Sequence, residues 1–243
     1  MLTFVTHYEQ LSDEDKEKIL DRCDTFMHWN PLKLIELSFS SIKKYHPNSR
    51  TIVITNLKSK VSLSSDIEVI RFPTDKYENR LSQMVATLAF LKEWKEFSHL
   101  IFHDFDMLFQ RNIESIFDGK NDIYLVKRGG PLTKKAPVNM GLVGIDQASI
   151  SQAIRFYHKI INQMLTFPDY HIWTGSQISV HKLLYHELLQ HPNAKEVVYD
   201  KIKFSFLPEE YNFTPEGNFE ERRYQEAVLH FKGQRKPQMI NYI

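Results

Sequence analysis

Two carboxylates at the end of an apolar run are the residues of this sequence best suited to chemistry. Asp104 and Asp106 stand one residue apart, directly after Leu100–Phe102 within the stretch Ser98–Phe109. Carboxylates this close repel one another unless protons or a cation lie between them, and hard divalent cations take oxygen ligands of this kind. The spacing therefore predicts a divalent metal site, with a plain turn after a strand as the alternative.

A second Asp-x-Asp pattern shows that the pattern alone is not specific. Asp13 and Asp15 follow Ser12 in a run of charged residues, which is typical of a helix N-terminus with a solvated face. Because short motifs arise by chance, the surrounding sequence has to separate the two pairs. We interpret Asp13 and Asp15 as structural, and Asp104 and Asp106 as the functional pair.

The element that must position the functional pair is a buried strand. Leu100, Ile101 and Phe102 show no polar alternation, as expected for a central strand covered on both faces. Polar residues begin where this strand would leave the sheet. The carboxylates would then lie at its carboxyl end, the edge at which open α/β sheets bind ligands.

The rest of the chain alternates short β-prone runs with amphipathic segments, which predicts an α/β fold with a mostly parallel sheet flanked by helices. We expect strands at residues 2–6, 51–55, 67–72, 100–102, 122–127, 137–146 and 202–207, with a short one from 228. We expect helices within 12–29 and at 32–45, 79–94, 147–165 and 173–184.

The composition is that of a globular protein. With 243 residues, 42% hydrophobic and 25% charged, the chain suits one large domain or two small ones, and one is the simpler interpretation. The net charge of +1 gives no global attraction to nucleic acid. The single cysteine, Cys23, fits a reducing compartment. With no signal-peptide pattern and no apolar stretch approaching the length of a membrane span, we expect a cytoplasmic protein without a transmembrane segment.

Polar residues near the ends of other elements are candidates for contacts with a bound nucleotide. Thr6 ends the first predicted strand, and His7 and Tyr8 follow it in a loop that would face a ligand, although they also fit an ordinary loop. Arg80 and Gln83 lie three residues apart on one face of the helix predicted at 79–94, near its N-terminus. A helix N-terminus favours an anion, so Arg80 is a candidate diphosphate contact; the alternative is a solvated arginine.

Two later segments contribute polar residues that would face a cleft. Pro137–Asp146 interleaves glycine with apolar residues, and glycine inside a strand often marks a close approach of backbone or ligand. This draws attention to Asn139 and Gly141. Gln177 lies in the N-terminal turn of a predicted helix, and the basic loop Lys127–Pro131 suits either a phosphate contact or a plain surface loop.

Four segments, in this order, resemble the GT-A glycosyltransferases, especially the family 8 group that includes glycogenin and bacterial lipopolysaccharide galactosyl- and glucosyltransferases. The segments are Leu100–Asp106, Asn139–Gly144, Leu207–Asn212 and His230–Pro237. The resemblance covers most of the chain. It implies a Rossmann-like GT-A fold in one domain, with a nucleotide-binding part to about residue 110 and an acceptor-binding part from 111 to 243.

The resemblance also implies a ligand set. Asp104, Asp106 and His230 would bind a divalent cation, Mn²⁺ or Mg²⁺, that bridges to the diphosphate of a nucleotide sugar; without the resemblance, His230 would be a paired strand histidine. Lys236, after a tight turn at Gly233, would neutralise the diphosphate. A cation and a fixed ammonium suit the negative charge that grows on a departing nucleoside diphosphate.

Further roles, and two departures from the family pattern, follow from the same resemblance. Phe105 would contact the nucleotide, and Asn139 and Gln177 would act in catalysis. Where many family members carry Asp-Gln, this chain has Ser176 before Gln177, so a carboxylate expected near the sugar or acceptor is missing. The last motif reads Lys-Pro-Gln from Lys236 instead of the common Lys-Pro-Trp.

The sequence thus predicts a metal-dependent glycosyltransferase that moves a sugar from a nucleotide donor, expected to be a UDP-sugar, to a carbohydrate or glycolipid acceptor with retention. An enzyme without a membrane span can still reach a lipid-linked acceptor from the membrane surface. One alternative is a nucleotidyltransferase that builds a nucleotide sugar, which would favour a Gly-rich basic loop where Thr6–Glu9 stands. The other is a nucleotide-sugar-binding protein without turnover.

Overall fold

The computed structural model describes residues 1–10, 30–77, 79–128, 137–166, 175–215 and 225–242. The predicted charged helix within 12–29, with Asp13, Asp15 and Cys23, lies outside the described residues, as does the greater part of the loop 127–131.

The described residues form strands and helices close to the expected ranges. The strands are β1 Leu2–His7, β2 Arg50–Asn56, β3 Glu68–Phe72, β4 His99–His103, β5 Met107–Phe109, β6 Ile123–Lys127, β7 Val138–Ile145, β8 Glu196–Tyr199, β9 Ile202–Leu207 and β10 Val228–His230. The helices are α1 Pro31–Tyr45, α2 Asn79–Glu93, α3 Ile150–Met164, α4 Gly175–Gln190 and α5 Lys236–Tyr242. Short 3-10 turns span Glu114–Ile116, Glu209–Asn212 and Gly233–Arg235. Among the helices in these ranges, none is both long enough and apolar enough to cross a bilayer.

Eight of the strands build one mixed sheet in the order β3-β2-β1-β4-β7-β6-β9-β8. Strands β3, β2, β1 and β4 are parallel neighbours, and β6 pairs in parallel with β9. Strand β7 is antiparallel to both β4 and β6, and β8 is antiparallel to β9. The prediction of a mixed, mostly parallel sheet flanked by helices is confirmed.

Strand β4 is covered on both faces, as its sequence predicted. Leu100 and Phe102 pack in a core cluster shared with α2, α3 and α4, whereas Ile101 packs in a second cluster with α1 on the opposite face. Successive side chains of a strand point to opposite faces. With apolar partners on both sides, no position in this run favours a polar residue.

The stretch Ser98–Phe109 is not one strand but two. β4 ends at His103, a turn follows, and Met107–Phe109 forms the separate strand β5, which pairs antiparallel with β10 in a small two-stranded sheet. Sequence reasoning did not anticipate this second pairing. It joins parts of the chain that lie more than a hundred residues apart and places His230 opposite Met107, beside the carboxylate turn.

Candidate metal centre

The structure brings Asp104, Asp106 and His230 together. The Nε2 atom of His230 lies 3.1 Å from Asp106 Oδ1 and 3.5 Å from Asp104 Oδ2. One ligand atom from each of the three residues lies within 4.8 Å of the others, and within the described ranges no other group of three or more such side chains does so. The Asp106 and His230 side chains are buried, whereas that of Asp104 is 25% exposed. The cluster is therefore open to solvent on the Asp104 side.

Backbone pairing sets this arrangement. The carboxylates occupy the turn between β4 and β5, and β10 supplies the histidine from the neighbouring antiparallel strand. The Phe231 N–H donates to the carbonyl oxygen of Asp106 at 2.8 Å, which continues the pairing past His230. The cluster is thus built at the carboxyl end of a central strand, where open α/β sheets place their ligands.

A bulge in β7 brings backbone against the carboxylates. The pairing of β6 with β7 shifts between Leu125 and Val126, which leaves Met140–Leu142 without partners on β6. Within this bulge, the Gly141 carbonyl accepts from the Asp104 N–H at 2.8 Å. A Cβ on Gly141 would lie 2.9 Å from the Asp104 carboxylate oxygen Oδ2. Bulges commonly re-aim chain segments beside active sites, and here only glycine fits without a shift.

Asn139 lies beside this bulge, buried in β7. Its side-chain oxygen accepts from the Gly141 N–H at 3.0 Å. The side chain therefore shapes the backbone next to Asp104, and the role in catalysis predicted for Asn139 stays a prediction.

Lys236 forms a buried ion pair with the cluster. Its Nζ donates to Asp106 Oδ2 and lies 4.9 Å from the centre of the Phe105 ring. Burial by itself would raise the pKa of Asp106, but Lys236 and His230 outweigh burial and hold this pKa well below its usual range. The turn that leads to Lys236 has Gly233 in the left-handed region, at φ 56°. Lys236 thus lies on the carboxylate cluster, its contact with a diphosphate stays a prediction, and the helix α5 that it begins was not predicted.

Arg80 and His7, both predicted to contact a nucleotide, lie near one another, and Arg80 lies near the carboxylates. The Arg80 guanidinium donates to Gln83 Oε1. Burial lowers the pKa of Arg80, while Asp104 and Asp106 oppose the shift. Burial, with Arg80 nearby, also lowers the pKa of His7 to about 3. Arg80 is therefore a partly buried cation near the carboxylates rather than a solvated arginine, and the lowered pKa favours the neutral form of His7 at pH 7.

Thr6 precedes His7 within β1, and Tyr8 follows directly after the strand. The Thr6 hydroxyl donates to the His103 carbonyl at 2.8 Å, and the Tyr8 N–H donates to the Ile54 carbonyl at 3.0 Å. Both residues are buried. The two bonds connect β1 and the residue after it to the neighbouring strands β4 and β2. The Thr6 hydroxyl therefore already has a structural partner, and its predicted contact with a nucleotide would be an additional one.

Gln177 lies in the first turn of α4, and its side chain is partly exposed. In the described part of the chain, no hydrogen bond or ion pair joins it to the carboxylates. The segment that leads into this helix, residues 167–174, lies outside the described residues. The assignment of Gln177 to catalysis stays a prediction.

Two further polar groups lie near the centre: Asn212, which the sequence did not single out, and Lys232, one of the cations expected around the turn at Gly233. Asn212 bonds to the other ring nitrogen of His230 at 2.8 Å. Burial, with a smaller contribution from Arg128, lowers the pKa of Lys232 to about 8, while Asp104 and Asp106 oppose the shift. Asn212 is the last residue of the segment Leu-Pro-Glu-Glu-Tyr-Asn, one of the four segments that resemble the family. Its place in that segment is the feature of the sequence that could have identified Asn212 as a site residue.

The three residues fit a divalent cation. Atoms bound to one ion at about 2.1 Å lie about 3 Å apart when they meet at a right angle, and the spacings of 3.1 and 3.5 Å around His230 Nε2 are of this size. Two carboxylates with an imidazole suit Mn²⁺ better than Ca²⁺. The ammonium of Lys236 on Asp106 shows that this position already attracts a cation.

The fold is that of the GT-A glycosyltransferases. The galactosyltransferase LgtC, solved in complex with donor and acceptor sugar analogs, matches with a TM-score of 0.60 and 11% identity over 99% of this chain and 94% of its own. The glycosyltransferase GlyE of Streptococcus pneumoniae TIGR4 matches with a TM-score of 0.57 and 12% identity over 97% of this chain and 55% of its own. The bifunctional glycosyltransferase WbbM matches with a TM-score of 0.58 and 12% identity over 97% of this chain and 46% of its own. By sequence, no family model and no curated protein matches.

Proposed function

We propose that this protein is a metal-dependent glycosyltransferase that moves a sugar from a UDP-sugar to a carbohydrate or glycolipid acceptor, with retention of configuration. The observation that carries the proposal is the cluster of Asp104, Asp106 and His230 at the carboxyl end of a central strand, on the fold of GT-A glycosyltransferases. LgtC binds donor and acceptor sugar analogs with the same fold, which supports sugar substrates for this chain.

The three ligands would hold Mn²⁺ or Mg²⁺ against the diphosphate of the donor. When bound, such a cation supplies Lewis-acid stabilisation of the departing nucleoside diphosphate. The carboxylates orient the site, and burial of Asp106 and His230 lowers the local dielectric, which strengthens the interaction with an anion.

Cationic side chains of the chain itself would complete the diphosphate site. Lys236 forms an ion pair with Asp106, and Arg80, on helix α2, lies near the carboxylates of Asp104 and Asp106. An ammonium and a guanidinium held in a partly buried site stabilise negative charge that grows on a leaving group, at no further cost of ordering.

The nucleoside would lie along the end of β1. His7 is neutral at pH 7 because burial lowers its pKa, so its ring is suited to stacking on a base or to a neutral hydrogen bond. In this proposal residues 1 to about 110 bind the nucleotide and residues 111–243 bind the acceptor, with His230 and Lys236 reaching across from the second part.

Gln177 and Asn139 are the proposed polar contacts for the transferred sugar. Support for a glutamine comes from LgtC, in which an active-site glutamine was changed to glutamate for structural study. The position of Gln177 at the start of α4, on a helix that packs against β7, is compatible with a side chain directed to the cleft.

A donor screen tests the proposal. The protein would be incubated with UDP-, GDP- and ADP-sugars in Mn²⁺, and release of free nucleoside diphosphate would be measured with and without a chelator. We expect release from a UDP-sugar that chelation abolishes. Formation of pyrophosphate from a nucleoside triphosphate and a sugar 1-phosphate would instead identify a nucleotidyltransferase. Donor binding without release, across a panel of carbohydrate acceptors, would identify a binding protein.

A further inference from the structure

The imidazole of His230 forms a hydrogen bond with a buried amide on the side of the ring that faces away from the carboxylates. His230 Nδ1 lies 2.8 Å from Oδ1 of Asn212, and both residues are almost fully buried, with 4% and 2% exposure. The opposite ring nitrogen, Nε2, faces the carboxylates. A carbonyl oxygen can only accept, so this contact requires a proton on Nδ1.

The surroundings of Asn212 favour this orientation of its amide. The Nδ2 atom lies 2.9 Å from the position of a Cβ on Gly141, and Asp104 Oδ2 lies at the same distance from the same point. Among the described residues, this Nδ2 has no hydrogen-bond partner. If the amide turned over, its oxygen would lie on the side of the Asp104 carboxylate. The orientation with Oδ1 on His230 and Nδ2 toward the Gly141 and Asp104 side keeps the donor group of the amide, and not its acceptor, on the side of the carboxylate.

The backbone keeps Asn212 and His230 in register. The Phe213 N–H donates to the Val228 carbonyl at 3.0 Å, and the His230 N–H donates to the Phe213 carbonyl at 2.7 Å. These two bonds join the residue after Asn212 to the strand that carries His230. The hydrogen bond between the two side chains is therefore built on paired backbone, not on two independent loops.

We infer that Asn212 is a positioning residue of the metal centre, which fixes the proton of His230 on Nδ1 and so presents the Nε2 lone pair to a divalent cation. The inference rests on the proposed function to the extent that it assumes a metal at this site. Groups behind a ligating histidine fix its tautomer and ring orientation and raise its basicity, and changing them commonly weakens metal binding about 10- to 100-fold. An amide does this without a third negative charge beside Asp104 and Asp106.

The test is the affinity of the whole protein for Mn²⁺, measured by calorimetry or by the EPR signal of free Mn²⁺ without any nucleotide. Asn212→Leu keeps the size of the side chain and removes the acceptor, and Asn212→Asp keeps the acceptor. Asn121→Leu is the matched control, because Asn121 is equally buried but bonds to Asp118 and Glu196 instead. We expect Asn212→Leu to weaken Mn²⁺ binding about 10- to 100-fold. Asn212→Asp should bind at least as tightly as the wild type, and Asn121→Leu should bind unchanged.

A merely structural role would lower the melting temperature of Asn212→Leu and leave its Mn²⁺ affinity at the wild-type value, and this result would overturn the inference. Equal losses in Asn212→Leu and Asn212→Asp would also overturn it, because the acceptor would then not matter. If Asn212→Leu does not fold, Asn212→Ser replaces it, since a hydroxyl on the shorter side chain falls short of Nδ1.

The proposed function has a separate readout. Suppose that the wild-type protein releases nucleoside diphosphate from a UDP-sugar and that Asn212→Leu binds Mn²⁺ with full affinity. The inference about Asn212 would then be wrong, and the proposed glycosyltransferase function would stand. If Mn²⁺ binding depends on Asn212 but no nucleotide sugar is turned over, the inference about Asn212 would stand and the proposed function would be wrong. A wild-type protein that binds neither Mn²⁺ nor Mg²⁺ would overturn both.

Discussion

Replacing Gly141 by alanine should damage the metal centre specifically. A Cβ at this position would lie 2.9 Å from each of three atoms: Asp104 Oδ2, Asn212 Nδ2 and Met107 Cε. These separations are shorter than the normal contact distances of a carbon atom, so the ends of all three side chains, the Asp104 carboxylate among them, must shift. Overpacking of this kind costs about 1–3 kcal/mol. For a chain of this size, that loss lowers the melting temperature by about 2–12 °C.

The measurement pairs thermal unfolding with Mn²⁺ titration and uses Gly144→Ala as the control. Gly144 lies on the same strand, and a Cβ there would lie 3.2 Å from Tyr124 Cβ and 3.3 Å from Phe117 Cζ, away from the carboxylates. Both variants should be less stable than the wild type, but only Gly141→Ala should lose Mn²⁺ affinity, by about tenfold or more. Equal Mn²⁺ affinity in the two variants would refute the claim that Gly141 keeps space for Asp104.

Three further predictions follow from the site. Lys236→Ala should lower turnover by more than it weakens donor binding, because the charge that Lys236 meets grows in the transition state; turnover and donor dissociation constants measured together decide this. His230→Ala should weaken Mn²⁺-dependent nucleotide binding, and an unchanged nucleotide affinity across a Mn²⁺ titration would return His230 to a structural role. The pKa of His7 is about 3 when folded and about 6.5 when unfolded, so the unfolded state binds the extra proton between these values. Stability should therefore fall as the pH drops from about 6.5 toward 3, and His7→Gln should flatten this slope in denaturant unfolding at several pH values.

Much of the first half of the fold could be predicted from local sequence. The run Leu100–Phe102 has a single physical explanation, a strand with apolar partners on both faces, and the structure supplies α1 on one side and α2 to α4 on the other. Asp104 and Asp106 follow it directly, so their position at the sheet edge needs no long-range information.

Contacts between distant segments could not be predicted in the same way. The pairing of Met107–Phe109 with Val228–His230 depends on register between short strands far apart in sequence, and three residues are too few to show a period. The bond between Asn212 and His230 depends on that pairing. The resemblance to a family placed His230 near the carboxylates, whereas the local sequence left it as an ordinary strand residue.

The C-terminal helix was missed because its opening resembles a turn. Gly233 and Pro237 both favour turns, and we expected a tight turn at Gly233 with no helix after it. Proline is equally favourable in the first turn of a helix, where its missing N–H has no partner to lose. In the structure Pro237 is the second residue of α5, and the helix carries Lys236 into a buried ion pair instead of leaving it in solvent.

The central claim is that Asp104, Asp106 and His230 form the metal site of a glycosyltransferase, and Mn²⁺-dependent release of nucleoside diphosphate from a UDP-sugar tests it most directly. The comparison is between the wild type, Asp104→Asn and the control Asp66→Asn, which removes the same charge at an exposed position. We predict that wild type and Asp66→Asn release product in a Mn²⁺-dependent manner and that folded Asp104→Asn does not. The account would be contradicted if Asp104→Asn released nucleoside diphosphate at the wild-type rate. It would also be contradicted if the wild-type protein still released nucleoside diphosphate under full chelation.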